Sequence, residues 1–512
     1  MAFLLKPSLH NRHFTAAKHL SPTLTHLFST TSSPPTQNDA ELISKLLLQH
    51  YNPYHSMESP LQLQSITLTP TLLTETLTHL KHHSKIALSL FNFSKSLPNP
   101  PLSHSSYNLL IDIVSKVHQF DLAWQLIIEM DQNNLTPDPT TFFIIIKRLI
   151  AANLTRQAIR AFEEIESYTN TKLTSQHFTF LLDTLCKYGH VKIACELFNK
   201  NQNRFSPDAK MYTILIYGWC KISRFKTALS FLNEMKVKGI EANVVTYNVY
   251  LNGICRKASL HPEERFERTI RDAEKVFDEM RESGIEPDVT SFSIVLHVYS
   301  RAHKPQLVLD KLSLMKEKGI CPNVVTYTSV IKCLCSCGRI EEAEDLLDEM
   351  VRNGVSPCAK TYNCFFKEYR GRKETDKALK FFKKMKDDGL CEPTTHTYGV
   401  LIAMFLKADM IGVVKEIWKD MMERGVGPDL DSYTVLIHGL CERKKWREAC
   451  GYFVEMIEKG FLPQKVTFET LYRGLIQADM LRTWRRLKKK LDEESITFGS
   501  EFQNYHLKPY RR

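Results

Sequence analysis

Apolar residues recur along most of the chain in blocks of about 35 residues, and each block holds two stretches with the period of an amphipathic helix. One methionine marks each of seven blocks. These are Met235, Met280, Met315, Met350, Met385, Met421 and Met456, separated by 45, 35, 35, 35, 36 and 35 residues. Each ends or follows a phrase such as FLNEM, VFDEM or YFVEM, and a phrase such as VTYN or DSYT comes about fifteen residues later. This spacing predicts a tandem repeat array.

An aromatic residue at the fourth position sets the register of the repeat. Counted from three residues before that aromatic, units begin at His104, Pro139, Ser175, Ala209, Val244, Val289, Val324, Ala359, Thr395, Leu430 and Lys465. The fourth positions are Tyr107, Phe142, Phe178, Tyr212, Tyr247, Phe292, Tyr327, Tyr362, Tyr398, Tyr433 and Phe468. One residue class at one position in all eleven units predicts a constant packing role.

Each unit is predicted to form two helices joined by a short turn. In the seventh unit, Tyr327, Val330 and Leu334 fall on one helical face, and a second apolar stripe follows the turn. Gly354 and Pro357 then supply the usual signals for a helix end. A lone hairpin cannot bury its apolar stripe, whereas stacked hairpins build a continuous core. The predicted fold is therefore an all-α solenoid of tandem 35-residue helix-turn-helix repeats.

The N-terminus has the composition of an organellar transit peptide. Residues 1–38 contain Lys6, Arg12 and Lys18, eleven Ser or Thr residues, and no acidic residue. Such a basic, hydroxyl-rich and acid-free segment is typical of import signals. The sequence around 27–30 resembles a mitochondrial cleavage region, so we expect the mitochondrion, with the chloroplast as the alternative destination. A tail without a targeting role is the other interpretation of the composition.

The repeats and their flanks give the predicted domain organisation. It comprises a disordered transit peptide at 1–38, a linker at 39–68, a degenerate first repeat at 69–103, about eleven repeats at 104–499, and a tail at 500–512. The last repeat is degenerate and is expected to form a polar cap. The fifth unit has about ten extra residues between its helices, at 257–267. A tolerated loop is the expected explanation of that insertion, and a partner contact is the alternative.

Composition limits the function classes. The 512 residues carry a net charge of +11, which favours a polyanionic partner without requiring one. None of the thirteen cysteines forms a C-x-x-C pair, so reduced intracellular thiols are expected. Five of these cysteines occupy position 12 of their units, where packing explains them: Cys186, Cys220, Cys255, Cys335 and Cys441. No uncharged apolar run reaches the length of a membrane helix, so no membrane span is expected.

The sequence carries no complete motif for catalysis or cofactor binding. The residues 261–263 spell the first half of a zinc-deaminase motif, but the cysteine pair that would hold the zinc is missing. Cys333, Cys335 and Cys337 would not all share a helical face, which disfavours a metal site. No phosphate-binding or dinucleotide motif occurs. Nothing in the sequence suggests a Ser–His–Asp set, and we expect neither enzyme activity, a cofactor nor a metal.

The repeat resembles that of the pentatricopeptide repeat family. The resemblance rests on the 35-residue hairpin, the VTYN phrase, the cysteine at position 12 and the DEM…KGI.PD ending, and covers about 104–499. Uniform units without an editing extension are similar to the P-class branch, which is largely organellar and expanded in plants. The resemblance implies a right-handed superhelix, monomeric, that binds single-stranded RNA during transcript stabilisation, processing, splicing or translation. Other RNA-processing or ribosomal proteins would be further partners.

In this family, the fifth and last residues of a unit recognise one base, and the second residue packs between bases. The well-formed pairs here are Asn108 with Asp138, Thr179 with Asp208, Thr213 with Asn243, Asn248 with Asp288, and Ser293 with Asn323. Because an ionised Asp only accepts hydrogen bonds, it favours guanine or uracil, whereas Asn also admits adenine or cytosine. The resemblance further implies that Thr or Ser at the fifth position favours purines and Asn favours pyrimidines. The implied footprint is 5′-U-n-G-A-U-A-3′.

Other units depart from this pattern. Thr328 with Cys358, Thr434 with Gln464, and Gly399 with Asp429 are not standard pairs. Asn363 with Thr394 implies only a pyrimidine, and the second unit has Phe143 with Thr174. Valine occurs at the second position only as Val245, Val325 and Val466, of which the first two are expected to sandwich bases.

Each candidate role has a simpler structural alternative. The last-position Asp and Asn residues stand just before helices, where an N-cap acceptor alone stabilises by about 1 kcal/mol. Position 13 is basic in six units, as Lys116, Lys187, Lys221, Arg256, Arg301 and Lys407. A row of cations there would contact phosphates, but cations are also favourable at helix C-termini. For the whole chain, the alternative function is a protein-binding scaffold in an organellar complex, such as one associated with the ribosome.

Overall fold

A computed structural model describes residues 37–50, 68–169, 171–257 and 264–493. These described residues form twenty-five helices and no strand. The helices are α1 Gln37–His50, α2 Pro70–His79, α3 Ser84–Lys95, α4 His104–Lys116, α5 Phe120–Gln132, α6 Pro139–Ala151, α7 Thr155–Thr169, α8 Ser175–Lys187, α9 Val191–Lys200, α10 Ala209–Lys221, α11 Phe225–Val237, α12 Val244–Lys257, α13 Glu264–Glu282, α14 Val289–Arg301, α15 Pro305–Glu317, α16 Val324–Ser336, α17 Ile340–Arg352, α18 Ala359–Arg372, α19 Thr375–Asp387, α20 Thr395–Lys407, α21 Ile411–Glu423, α22 Leu430–Glu442, α23 Trp446–Glu458, α24 Lys465–Gln477 and α25 Leu481–Glu493.

The described helices group into two compact parts, divided after residue 218, and each part is a stack of hairpins. From α4 onwards, every first helix of a hairpin begins at the residue that the sequence register counts as position 1. In the second part, for example, the first helix α14 contacts its own second helix α15 and the next first helix α16. The predicted all-α solenoid fold is confirmed in each of these two parts.

The N-terminal flank differs in part from the sequence expectation. The stretch 39–68 was expected to be a linker, but α1 covers its beginning and contacts α2. The reason is an apolar stripe at helical spacing, because Ala40, Ile43 and Leu47 are all buried. The expected transit peptide and C-terminal tail fall outside the described residues, apart from 37–38, which belong to α1.

The marker aromatics and methionines form the core. All eleven fourth-position aromatics are at most 2% exposed, and the methionines that stand near the ends of eight second helices, such as Met350, are equally buried. In the first and seventh units, for example, the tyrosine hydroxyl donates to the acid next to the methionine of the same unit. Tyr107 lies 2.9 Å from Glu129 and Tyr327 lies 2.8 Å from Glu349. Burial, together with the hydrogen bond to Glu129, raises the pKa of Tyr107. The aromatic position and the DEM phrase are therefore one structural feature.

Small residues at position 10 allow neighbouring first helices to approach closely. A methyl group built on Gly253 would lie 2.5 Å from the Cys220 sulfur, and one on Gly439 would lie 2.4 Å from Cδ1 of Leu406. Cys220 and Leu406 both hold position 12 of the preceding unit and are buried. Burial raises the pKa of the Cys220 thiol to about 12, which keeps the group neutral. The position 12 cysteines therefore act as small packing residues.

Candidate nucleic-acid interface

The last residue of a unit caps the first helix of the next unit. In six cases the side-chain Oδ1 accepts from the backbone N–H three residues later, at 2.7–2.9 Å. The residues are Asp138, Asp208, Asn243, Asp288, Asn323 and Asp429. The capping role raised as the alternative is thus present at all six. These side chains nevertheless remain half-exposed or fully exposed, so capping does not hide them from a ligand.

The cap also fixes which chemical group each residue presents outward. Because a helix N-terminus supplies hydrogen-bond donors, the capping atom must be an oxygen. In Asn323 the amide oxygen takes this role, which leaves the amide nitrogen as a donor for other partners. In Asp138 one carboxylate oxygen takes it, which leaves a second acceptor oxygen. One common backbone geometry therefore presents opposite hydrogen-bonding groups at the two residue types.

The structure brings the fifth and last residues of several units together. Nδ2 of Asn248 donates to Oδ1 of Asp288 at 3.0 Å. The hydroxyl of Ser291, at position 3 of the following unit, donates to Oδ1 of Asn248 at 2.6 Å and lies 3.0 Å from Asp288. The fifth residue, the last residue and this third-position hydroxyl form one hydrogen-bonded cluster.

Similar clusters recur in other units. Thr141 joins Asn108 to Asp138, with oxygen distances of 2.7 and 2.8 Å. Thr326 joins Ser293 to Asn323, at 2.8 and 3.0 Å. In the seventh unit, the hydroxyls of Thr328 and Thr361 are 2.8 Å apart, and Thr361 contacts the thiol of Cys358 at 3.4 Å. The sequence analysis missed the third position, although the Thr of each VTYN phrase was the available signal.

Some fifth-position side chains are less accessible than a direct base contact requires. Thr179, Asn248 and Asn363 are only 4%, 9% and 5% exposed. Thr179, Thr213 and Thr434 each donate to the backbone carbonyl four residues earlier, at 2.7–2.8 Å. Asn108, Thr213, Ser293, Thr328 and Thr434 are half-buried. Buried fifth residues such as Asn248 therefore contact the next first helix, whereas last residues such as Asp208 and Asn323 stay exposed.

The valines at the second position have the opposite environment. Val245, Val325 and Val466 are 60%, 60% and 62% exposed. An exposed valine is unfavourable for solubility alone, and three at one register position form a regular apolar feature. Their exposure leaves room for flat apolar groups, such as nucleobase faces, beside each one.

Five of the six position 13 cations are exposed, and Arg301 is half-buried. Lys116 lies 3.1 Å from the His82 ring, and Lys187 is ion-paired with Asp183 at 2.6 Å. The guanidinium of Arg301 stands 6.0 Å from the centre of the Phe266 ring. The remaining members of the row are Lys221, Arg256 and Lys407, each at the end of a first helix.

Position 9 carries positive charge that the sequence analysis missed. Exposed Lys332 and Lys367 stand there in the seventh and eighth units, whose position 13 residues are not basic. Partial desolvation by its neighbours, followed by the charges of Lys332 and Arg301, lowers the pKa of His297, which holds position 9 of the sixth unit. Cations from positions 9 and 13 thus act on the same side chain. The spacing of four residues between these positions was the available signal.

The cysteine run at 333–337 and the partial zinc motif at 261–263 were the sequence features that suggested a metal site. Cys333 and Cys335 are buried, and burial raises the pKa of Cys333 to about 12, as expected for packing residues. The 261–263 motif lies outside the described residues. Within the described ranges, no cluster of three potential metal ligands occurs. No helix there is both long and apolar enough to cross a membrane.

Comparisons with known proteins identify the repeats. The PPR repeat family model matches residues 103–167, 207–256, 322–371, 357–407, 393–442 and 428–477, and the pentatricopeptide repeat domain model matches 271–336. A mitochondrial pentatricopeptide repeat-containing protein of Arabidopsis thaliana is 62% identical over 476 residues, which are 93% of this chain and 92% of the relative. A second mitochondrial pentatricopeptide repeat-containing protein of that plant is 31% identical over 90% of this chain and 76% of its own length.

Solved structures give more distant matches. The maize pentatricopeptide repeat protein PPR10 shares 20% identity, with 90% of this chain and 74% of that one covered, at a TM-score of 0.37. Yeast Rmd9p in complex with a 16-nucleotide target RNA shares 13% identity, with 91% and 86% covered, at a TM-score of 0.39.

Proposed function

The chain belongs to the pentatricopeptide repeat family, and from that premise we propose that it binds single-stranded RNA with sequence preference, one base per repeat. The observation that carries the proposal is the capped last residue. At each well-formed unit, a helix-end contact orients an Asp or Asn whose other polar end stays accessible. The proposed activity is binding, with no catalytic step and no cofactor.

The last residue would select bases by the group it presents. A carboxylate oxygen accepts from N3–H of uracil or N1–H of guanine, whereas an amide nitrogen donates to N1 of adenine or N3 of cytosine. Asp288 and Asn323, in neighbouring units, would therefore prefer different bases from the same backbone position. Each correct contact contributes about 1–3 kcal/mol of discrimination, because a wrong base leaves a buried polar group unpaired.

The fifth residue would act from beneath the last one. Both ends of the Asn248 amide are occupied, by Asp288 and Ser291, so its main role is to hold the carboxylate in position. Less buried fifth residues, such as Asn108 and Ser293, can also meet a base edge. Exposed Val245 and Val325 would separate consecutive bases by packing on their faces. The proposed footprint is 5′-U-n-G-A-U-A-3′, and the atypical later units add little selectivity.

The cations would bind the RNA backbone irrespective of sequence. Position 13 supplies exposed lysines such as Lys407, and position 9 supplies Lys332 and Lys367 where position 13 is neutral. Each phosphate contact releases condensed counterions, so binding would weaken with rising salt.

The proposed setting is mitochondrial RNA metabolism, in transcript stabilisation, processing, splicing or translation. The name of the relative with 62% identity places that protein in the mitochondrion, and the N-terminal composition of this chain fits import there. We propose that the protein acts as a monomer, that RNA is its main partner, and that RNA-processing or ribosomal proteins are additional partners.

Selection from a random RNA pool tests the proposal. The purified full chain should enrich U-n-G-A-U-A, and filter binding with heparin as competitor should retain that RNA over a scrambled one by at least tenfold. Enrichment of no motif, with heparin displacing every RNA alike, would reject sequence recognition and leave the protein scaffold as the remaining function.

A further inference from the structure

The second unit has aromatic side chains where other units have polar ones. Phe143 holds the fifth position, and its ring centre lies 4.6 Å from that of Phe180 and 5.4 Å from that of His177. All three side chains are only half-buried. They belong to consecutive first helices, α6 and α8, and form an aromatic cluster on the solenoid surface.

The cluster lies on the same line as the base-recognition sites. In the first unit, the fifth residue Asn108 contacts the third residue of the next unit, Thr141, at 2.7 Å. Phe143 and His177 are the fifth and third residues of the next two units and make the corresponding contact. Phe143 therefore takes the structural place of Asn108, one repeat further along.

The chemistry of the cluster differs from that of the polar pairs. A phenyl ring has no hydrogen-bonding edge and cannot distinguish one base from another, but its face stacks with any base. The backbone N–H of Thr174 donates to Nδ1 of His177 at 3.2 Å, so the neutral imidazole carries its proton on Nε2. The cluster thus combines an aromatic surface with one N–H donor at its edge.

We propose that Phe143, His177 and Phe180 form a stacking site for a nucleobase of any identity. This inference rests on the proposed function and assigns the base n, which follows the first uracil of the footprint. The site holds that base by its face, while neighbouring units recognise theirs by hydrogen-bonding edges. The second unit then contributes affinity without specificity and keeps the bases on either side in register.

An abasic RNA series separates stacking from edge recognition. Five RNAs carry A, C, G, U or an abasic sugar at n in an otherwise constant U-n-G-A-U-A. Removal of a stacked base costs about 1–3 kcal/mol, which corresponds to a loss of roughly 5- to 150-fold in affinity. We expect the four bases to bind within about threefold of one another and the abasic RNA to bind at least about fivefold more weakly. Equal binding of the abasic RNA would overturn the inference.

Two protein variants identify the residues. Phe143→Leu keeps an apolar side chain but removes the ring, so the abasic penalty should disappear. Tyr168→Leu removes an aromatic that is 44% exposed on the second helix of the same unit, and the penalty should persist. A penalty that survives in folded Phe143→Leu would contradict the assignment.

A measurement on the wild-type protein tests the stacking site even if the variant does not fold. 2-Aminopurine at n should lose fluorescence on binding, because stacking quenches it, while 2-aminopurine in a 3′ extension should not change. Unchanged fluorescence at n would reject the stacking site. Failure of the proposed function looks different, because replacing the footprint G by C would then also leave the affinity unaltered.

Discussion

Exchange of Asp288 for Asn should convert the fifth unit from uracil to cytosine preference. Oδ1 of Asp288 accepts from the Ser291 backbone N–H at 2.8 Å and from Asn248 at 3.0 Å. An Asn at this position can keep both contacts through its amide oxygen, as Asn323 keeps its cap at 2.9 Å. The substitution then replaces one outward acceptor by an NH2 donor.

The cost to folding should be small. Burial opposes ionisation of Asp288, but hydrogen bonds from Ser291 and Asn248 outweigh it and lower the pKa of the carboxyl group. Because the pKa is lowered, the charged carboxylate stabilises the fold at every pH above the pKa of the unfolded state. This stabilisation is lost as the pH falls through the pKa of the folded state. At neutral pH the Asp288→Asn variant forfeits this charge–helix interaction, which is worth about 0.3–1 kcal/mol. Asn and Asp are otherwise similar caps.

The change in recognition should be larger than the change in stability. When the NH2 group faces N3–H of uracil, both donors stay unpaired, and the binding free energy is less favourable by about 1–3 kcal/mol. N3 of cytosine, in contrast, accepts a hydrogen bond from the NH2 group. The ratio of the affinities for uracil and cytosine should fall by roughly 5- to 150-fold, since each 1.4 kcal/mol is tenfold.

Four RNAs and one control variant test this expectation. They are the footprint with U, C, A or G at the fifth base, titrated against wild type and Asp288→Asn. Asp429→Asn changes an equivalent cap, bonded to Ser432 at 2.8 Å, in a unit with Gly399 at its fifth position. It should leave the fifth base preference unchanged. A folded Asp288→Asn protein that still prefers uracil would refute base selection by the last residue.

Four further outcomes are expected. Ser291→Ala should lower uracil selectivity by several fold in binding titrations, because it leaves the buried Asn248 oxygen without its donor while the backbone cap of Asp288 remains. Lys407→Ala should weaken all RNAs alike and reduce the slope of affinity against salt by about 1. RNA phosphates should raise the lowered pKa of His297, so NMR should detect its protonation on binding, and affinity should increase as pH falls. Gly439→Ala should destabilise by about 1–3 kcal/mol in urea denaturation, and the same substitution should cost less when it is made in a Leu406→Ala background.

Sequence periodicity was sufficient to predict the repeat units, because the contacts that produce the periodicity lie within a single hairpin. A fourth-position tyrosine such as Tyr327 bonds to the acid beside the methionine of the second helix of its own hairpin, so the spacing of tyrosine and methionine marks the two helices. The helix α1 was missed because three buried residues, Ala40, Ile43 and Leu47, are too few to signal a helix without the partner that they pack against.

The site was predicted less completely because its decisive contacts join successive units. A Thr at the third position is explained locally by capping, and only the stacking of helices shows that Thr141 also reaches Asn108. Burial of Thr179 and Asn363 likewise depends on the separation of first helices. The pairing of fifth with last residues came from family resemblance, and the direct contact of Asn248 with Asp288 gives it a physical basis.

The shared third-position hydroxyl has a consequence for engineering. Several of the proposed recognition clusters take their fifth residue from the first helix of one repeat and their hydroxyl from the first helix of the next repeat, as Ser293 and Thr326 illustrate. If a repeat were exchanged from its first position, it would bring the third-position hydroxyl that serves the preceding repeat. It would leave behind the hydroxyl that serves its own fifth residue. Transplants intended to rewrite the target should therefore run from one fifth residue through the third residue of the following repeat, so that every cassette brings a complete contact set.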